Sequence, residues 1–442
     1  VTGATFIPPD NRHVHIVGRT DPANAAGIRF GWPGVYIYGA FNGTSCRIIF
    51  EHVHDDSYEN EDKHHYRVSV DTAPARICTA ETVIDTYTVC DGLDAGHHTF
   101  SFYRITESSR SYAVFKGLLL DDNASMQQVD TVSQRKIEYL GDSHTAGYCA
   151  GDPAGTQCWH SEYNSYASLV ARHFNAAHHN ISVSGKALLL TPPYSQQVDV
   201  TMPEYYPRAL AHSESPQWDL TAWNPHITMI DIGVNDYSGY WGNYETPDNR
   251  EFKQTYHALL DTMRSVHPGT RFILIGPYDS CGARDSARIM TRHVYNEQIA
   301  AGHEDVFYCA YPPYDGLNDL NCHPSGPIHR RLADSLIALI QDTVGWQRDT
   351  SSVILARGEM SRSTSPASIR ALFTGHNTLR IHSETAFAKL TVCAPDGRML
   401  MQKSLPAPRK HARLTTPITA RGIYILTLHQ ANGSRRSCTI FR

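Results

Sequence analysis

The sequence predicts a multidomain chain with an N-terminal β-sandwich, a central α/β/α domain built on a parallel sheet, and a small C-terminal β-sandwich. Three observations carry this. Short β-rich runs punctuated by Gly, Asn and Asp fill residues 1–130 and return over 366–442. Strands alternate with helical stripes over 131–347, and 442 residues exceed one ordinary domain. Residues 348–365, with Ser, Thr, Arg and Pro but no apolar periodicity, read as a linker.

In the first segment, β-rich runs at 35–41 and 46–50 flank Asn42-Gly43. That dipeptide tolerates positive φ and so predicts a hairpin. Further strands are expected at 66–70, 82–89, 98–104 and 112–120. The central segment opens with a short apolar run at 137–140, followed by a helical stripe of Tyr166, Leu169, Val170 and Phe174. Next come a strand at 226–232, a stripe of Phe252, Tyr256, Leu259, Leu260 and Met263, and a strand at 271–275. A helix over 289–299, a strand at 306–309 and a helix over 332–340 complete it. Such alternation implies a parallel sheet with helices on both faces and ligands at the carboxyl ends of its strands. In the last segment, strands at 379–381, 389–393, 398–403 and 423–427 are separated by turns such as Asp396-Gly397 and Asn432-Gly433.

Composition narrows the function. Lys and Arg number 39 against 44 Asp and Glu, a net charge of −5, so no basic field draws the chain to nucleic acid. With 41% apolar and 19% charged residues the chain is not disordered, and no apolar run approaches the ~20 residues of a transmembrane segment. Ten cysteines without a CxxC pair argue against zinc ribbons and for disulfides in an exported protein. The chain begins at Val1 with neither Met nor a charged-then-apolar leader, an opening expected after removal of a leader.

Four loop tips carry chemistry. Gly141-Asp142-Ser143 ends a strand and places a hydroxyl at its carboxyl end. Ser184-Gly185-Lys186 follows a strand at 180–183, and Gly233-Val234-Asn235-Asp236 closes another. Asn321-Cys322-His323-Pro324 precedes a helix. Together they supply a hydroxyl, a flexible backbone N–H, a side-chain amide and an imidazole, which is the inventory of a hydrolase.

In block and order these motifs resemble the SGNH (GDSL-type) hydrolases. The run from Ile137 through Gly141-Asp142-Ser143-His144-Thr145 to Tyr148 is similar to carbohydrate esterase family 2, whose members deacetylate sugars and carry a jelly-roll domain before the hydrolase. Phe30-Gly31-Trp32-Pro33-Gly34, Phe41-Asn42-Gly43-Thr44, Arg104-Ile105-Thr106-Glu107 and Phe115-Lys116-Gly117 resemble the signatures of that N-terminal domain. The resemblance covers roughly residues 25–345. It implies that Ser143 is the nucleophile and His323 its general base. It further implies an oxyanion hole formed by the Ser143 and Gly185 N–H groups and the Asn235 amide. No cofactor is expected, because one imidazole serves both proton transfers.

The chain departs from the family before the base. The wider pattern places Asp three residues before the His, where this chain has Leu320. Family 2 tends to place Asp-Trp immediately before it, where Asn321 and Cys322 stand. A Ser-His dyad with a main-chain carbonyl orienting the imidazole is the expectation, Asp319 as a third member the alternative, and a weakened or inactive site remains open. Tyr237, Tyr240 and Trp241 follow Asn235 and are candidates to stack on a sugar ring. The last 75 or so residues resemble a type IX secretion sorting domain of Bacteroidetes. The resembling pieces are Thr391 to Arg398, Arg421 to Leu426 and the basic end at Arg442. Partner machinery of type IX secretion, and a secreted or outer-membrane-surface location, follow from that resemblance; a further carbohydrate-binding sandwich is the alternative.

Bland readings are preferred elsewhere. His52 and His54 beside Asp55 and Asp56, His64-His65 and His178-His179 lack metal-ligand spacing and are expected to be scattered surface histidines. Asp142 is expected to hydrogen-bond nearby loops. Asn42-Gly43-Thr44 and Asn123-Ala124-Ser125 match a glycosylation sequon and carry little weight alone. Disulfides are expected for Cys149–Cys158, Cys393–Cys438 and Cys78–Cys90, with the pairing of Cys46, Cys281, Cys309 and Cys322 open. Cys322 is expected to be bonded rather than catalytic. The function read from all this is a secreted carbohydrate O-acetylesterase acting on an acetylated carbohydrate. The rivals are a carbohydrate-binding or adhesion protein with a degenerate esterase domain, and a lipid or lysophospholipid esterase.

Overall fold

A computed structural model describes residues 4–349 and 369–441, except 23–25, 55–63, 81–82, 108–110, 130–132, 153, 194–198, 239–246, 279–285, 313–318, 321, 375–377, 394–398, 416–422 and 431–434. For His54, Asp319 and many residues of the C-terminal region only the backbone is described. The chain divides into two compact units, 1–359 and 360–442.

The first unit begins with two antiparallel sheets. One runs in the order Thr5–Ile7, Ser111–Leu120, Cys46–His54, Ile84–Cys90, with Ile28–Phe30 also paired to Ser111–Leu120. The other runs Ser125–Gln127, Tyr36–Gly43, Gly96–Arg104, His65–Val70, Arg76–Thr79, with Val14–Val17 paired to Tyr36–Gly43. Tyr36–Gly43 is apolar almost throughout because both its faces are buried. Ile37 and Phe41 join the sandwich core, whereas Tyr36, Tyr38 and Ala40 pack with Tyr103 and Tyr163.

The hairpin expected at Asn42-Gly43 does not form. Tyr36–Gly43 and Cys46–His54 lie in different sheets, and Asn42 and Gly43 continue the ladder opposite His97 and Gly96. The chain crosses the sandwich just beyond, where the Asp121 carboxylate accepts the N–H groups of Thr44 and Ser45, each at 2.9 Å. The expected Cys78–Cys90 bridge is also absent. Cys78 lies on Arg76–Thr79 in one sheet and Cys90 on Ile84–Cys90 in the other, and both are free thiols. Cys90 instead stands directly across from Cys46.

The central part is a five-stranded, wholly parallel sheet in the order Ala177–Ser182, Lys136–Gly141, Ile227–Asp231, Arg271–Gly276, Val306–Ala310. Alternation of side chains sorts its two faces. Ile137, Tyr139, Ile227 and Met229 pack with Tyr166–His173 and Gly326–Val344 through Val170, Leu332, Leu336 and Ile340. Leu140, Ile181, Ile230 and Leu274 pack with Asn249–Val266 and Ser286–Ala300 through Phe252, Tyr256, Leu260, Met263 and Val294. The first strand in sequence lies inside the sheet with its successor on one side and the third on the other, so the switch in winding direction falls at its carboxyl end.

Polar groups buried between the sandwich and the central domain join the two. Arg19, fully buried, pairs with Glu138 at 3.0 Å, and Tyr206 donates to the same carboxylate. The Trp32 indole donates to the Ala209 carbonyl at 2.9 Å, and the Tyr103 hydroxyl donates to Glu162. Breaking one partner of such a buried pair costs about 3–5 kcal/mol, because the other charge is left uncompensated.

The second unit is a five-stranded antiparallel sheet in which Thr378–Cys393 pairs with Ile369–Thr374, Met399–Thr415 and Ile423–Gln430, and Arg435–Phe441 closes the edge. The strands expected at 379–381 and 389–393 merge into Thr378–Cys393, the one expected at 398–403 lengthens to Met399–Thr415, and the pairing of the two crosses register shifts near Phe387. Leu379, Ile381, Phe387, Leu390, Val392 and Leu428 form its core. The side chains of Cys393 and Cys438 lie outside the described residues, as does most of the expected linker.

Candidate active site

Three adjacent strands deliver three of the sequence-predicted residues to one edge. Ser143 follows Lys136–Gly141, Gly185 follows Ala177–Ser182, and Asn235 follows Ile227–Asp231. Gly141 leaves room for the turn into Ser143, since a Cβ there would stand 2.1 Å from Thr145 Oγ1 and 2.7 Å from the Asp231 carbonyl. Asp142 caps the short helix Ser143–Ala146, its Oδ1 accepting the His144 N–H at 3.0 Å. Its other oxygen accepts from Asn235 Nδ2 at 3.1 Å, so Asp142 ties the serine turn to the asparagine loop, as expected of a loop-bonding carboxylate.

His323 comes from the opposite direction, on the small hairpin of Asp319–Leu320 and His323–Pro324. Its Nε2 lies 2.9 Å from Ser143 Oγ, within hydrogen-bond reach. Tyr148 lies against the imidazole at a centroid distance of 4.3 Å, and His144 meets it edge-on at 5.5 Å. Two disulfides brace this side. Cys149–Cys158 forms as expected, with Cys149 Sγ 3.3 Å from the Leu320 carbonyl, and Cys322 is disulfide-bonded. The side chain of Asp319 lies outside the described residues, so its place as a third member is not decided by the geometry.

Gly185 has φ of 76°, the left-handed region where glycine is at ease. Asn235 Nδ2 also donates to the Lys186 carbonyl at 2.9 Å, which fixes the amide plane beside that glycine. Asp236 then accepts three successive N–H groups, from Leu188, Leu189 and Leu190, at 2.9, 2.8 and 3.0 Å. The aspartate of the Gly-Val-Asn-Asp block is therefore the clamp of the Gly185 loop, a role its neighbour's amide overshadowed in the sequence.

Electrostatically, Ser143 lies beside buried acids. Burial, and then the neighbouring Asp231, push the Asp142 carboxyl well above the ordinary carboxylate range. Burial raises Asp231 to about 7 against the hydrogen bond it accepts from Tyr311, and raises Asp236 to about 6 against its three N–H partners. Burial, and then His323, hold His144 well below the usual imidazole value. His144 thus stays neutral beside the catalytic candidate.

Other expectations change. Tyr237 is only 6% exposed; its ring packs on Phe252 and its hydroxyl donates to Asn249 at 2.8 Å. It belongs to the core and not to a sugar-facing surface, while Tyr240 and Trp241 lie outside the described residues. Four of the histidines expected at the surface, His52, His64, His178 and His179, are buried, while His65 is half-buried and the side chain of His54 lies outside the described residues. The rings of His52 and His64 lie 4.5 Å apart near Tyr66 and Arg104, His178 lies 3.6 Å from Glu162, and His179 stacks on Trp223 at 3.7 Å. Among the described residues no group of three or more His, Cys, Asp or Glu is arranged to hold a metal ion, and no helix is long and apolar enough to cross a membrane.

Residues 16–129 match the carbohydrate esterase 2 N-terminal family, and residues 139–331 match the GDSL-like lipase/acylhydrolase family. The cellulase/esterase CelE of Acetivibrio thermocellus is 26% identical over 344 residues, which is 76% of this chain but 40% of that protein's length. An acetylxylan esterase/glucomannan deacetylase of Cellvibrio japonicus is 23% identical over 77% of this chain and 91% of its own. Among solved structures, a family two carbohydrate esterase from Clostridium thermocellum in complex with cellohexaose superposes with a TM-score of 0.67 at 24% identity, covering 75% of this chain and 99% of that one. A family two esterase from Cellvibrio japonicus gives 0.68 at 22% identity, covering 78% and 99%. The chain thus carries a carbohydrate esterase 2 N-terminal domain followed by a GDSL-like hydrolase domain, matching the family 2 carbohydrate esterases, which are carboxylic ester hydrolases.

Proposed function

We propose that this protein is a secreted carbohydrate O-acetylesterase that removes acetyl groups from plant-type polysaccharides such as xylan or glucomannan. The observation that carries the reading is the 2.9 Å approach of His323 Nε2 to Ser143 Oγ at the shared carboxyl edge of three parallel strands. Ser143 Oγ attacks the acetyl carbonyl carbon while its proton passes to His323 Nε2. The tetrahedral oxyanion accepts hydrogen bonds from the Ser143 and Gly185 N–H groups and from Asn235 Nδ2, which exchanges one of its two bonds, to Asp142 Oδ2 or to the Lys186 carbonyl, for the developing charge. Collapse breaks the ester C–O bond, and the imidazolium returns its proton to the departing sugar hydroxyl. Water, deprotonated by the same imidazole, then releases acetate from the acyl-serine.

The site works in this proposal as a dyad, with a main-chain carbonyl holding the imidazole tautomer. The spacing around Leu320 and Asn321 supports this over a carboxylate partner. The names of the relatives support the substrate class, and the paired cysteines support export. The C-terminal unit serves in this reading as a type IX sorting domain. Acetate release from acetylated xylan and glucomannan, followed by NMR for wild type and Ser143→Ala between pH 4.5 and 8, tests the proposal. Ser143→Ala loses at least about 1,000-fold in kcat. Wild-type rate falls below about pH 6.5, where an ordinary imidazole becomes protonated and cannot accept the serine proton. Equal turnover by both proteins, or a rate unchanged at pH 4.5, sinks it.

A further inference from the structure

Building on that esterase reading, we propose that Glu107, a residue of the N-terminal domain, is a positioning residue for the oxyanion hole of the hydrolase domain. Glu107 follows Gly96–Arg104, and its Oε1 accepts the N–H of Ser184 at 2.5 Å across the domain boundary. Ser184 is the residue before Gly185, whose own N–H is the donor the mechanism needs.

The physical case rests on where freedom lies. Glycine in the left-handed region has the widest backbone choice of any residue, so an N–H placed there is well aimed only if its neighbours are held. The loop is held on its far side by Asn235 on the Lys186 carbonyl and by Asp236 on Leu188, Leu189 and Leu190. On its near side the Ser184 hydroxyl is buried without a hydrogen-bond partner among the described residues, so its side chain does not anchor the entry. Glu107 does so through the backbone.

Glu107 is itself held in place. The fully buried Arg104 donates from Nη2 to the Glu107 carbonyl at 3.0 Å and to the Ser111 carbonyl at 3.1 Å. Its Nη1 meets His64 at 2.5 Å. A chain of contacts thus runs from the sandwich core through Arg104 and Glu107 to the residue beside the oxyanion donor. Glu107 is also close enough for its charge to act on Asp142, the cap of the nucleophile turn.

The test compares Glu107→Ala and Glu107→Gln with wild type on 4-nitrophenyl acetate, with amide hydrogen exchange of the 182–190 segment read in parallel. Glu107→Ala lowers kcat by about tenfold to a hundredfold with KM within about threefold, because the lost restraint matters most when the oxyanion forms. Glu107→Gln restores kcat to within about threefold, since its amide oxygen accepts the same N–H. Exchange over 182–190 quickens in the alanine variant alone, while exchange in helix Gly326–Val344 is unchanged. A Glu107→Ala enzyme with wild-type kcat and exchange overturns the assignment. Equal loss in both variants also overturns it, because charge and not the N–H tether would then be responsible. If wild type cleaves no acetyl ester yet the exchange responds as described, the tether stands and the esterase reading falls.

Discussion

The two halves of the site are built by different means. The half carrying Ser143, Gly185 and Asn235 hangs from three adjacent strands of a buried sheet, and carboxylates tie its loops together: Asp142 to Asn235, Asp236 to Leu188, Leu189 and Leu190. The half carrying His323 rests on a hairpin of two-residue strands, braced by disulfides at Cys149–Cys158 and Cys322. The strand-borne half is pre-organised by the sheet ladder and a few hydrogen bonds to buried carboxyl groups. The hairpin has almost no ladder of its own, so covalent cross-links restrain it instead.

That contrast is open to attack from either side. Asp236→Ala removes the acceptor of three N–H groups and releases the Gly185 loop, so kcat falls by about tenfold to a hundredfold in steady-state assays, with the His323 side intact. An unchanged kcat would mean that the loop needs no carboxylate. On the other side, Cys149→Ser with Cys158→Ser opens a link of sequence separation 9 and costs about 2–3 kcal/mol in denaturant unfolding. Since the sheet is untouched, kcat of the folded fraction changes less than in Asp236→Ala.

A smaller effect comes from the buried acids. Asp231 titrates in the fold at about 7, above the ~3.9 of an unfolded aspartate. Between those values the native state binds more protons than the unfolded one, so this group's contribution to stability falls as pH rises from about 4 to about 7. Asp231→Asn, which cannot ionise, should therefore gain roughly 2 °C in Tm over wild type at pH 8 relative to its difference at pH 5, read by calorimetry. The smallest effect is expected at Tyr237→Phe, which loses one hydrogen bond, about 1 kcal/mol, and leaves KM unchanged. A raised KM at normal stability would return Tyr237 to the substrate groove.

Much of the strand-borne half was legible in the sequence, because each block follows an apolar run and a parallel sheet brings all carboxyl ends to one edge. Ser143, Gly185 and Asn235 share that edge for this reason, whereas His323, 180 residues after Ser143, reaches it on a separate hairpin. What stayed hidden depends on contacts between distant segments. At Asn42-Gly43 the local preference for positive φ, which predicts a turn, yields to ladder pairing with His97 and Gly96. Tyr237 looked like a stacking residue because nothing local announces the Phe252 ring that covers it. The buried histidines looked superficial for the same reason, as their partners Tyr66, Glu162 and Trp223 lie on other strands and loops. Cys90 is expected to pair with Cys78, whereas sheet register sets it across from Cys46.

The Arg19–Glu138 pair, sealed from water between sandwich and hydrolase, has a consequence for anyone trimming this gene. Cutting away the first 130 residues would strand Glu138 without its counter-ion and bare an aromatic face around Tyr163. The leading module is consequently not a detachable cassette. Swapping it for a foreign sugar-binding module would have to carry the arginine, the tryptophan and the tyrosines along, or forfeit the folded enzyme.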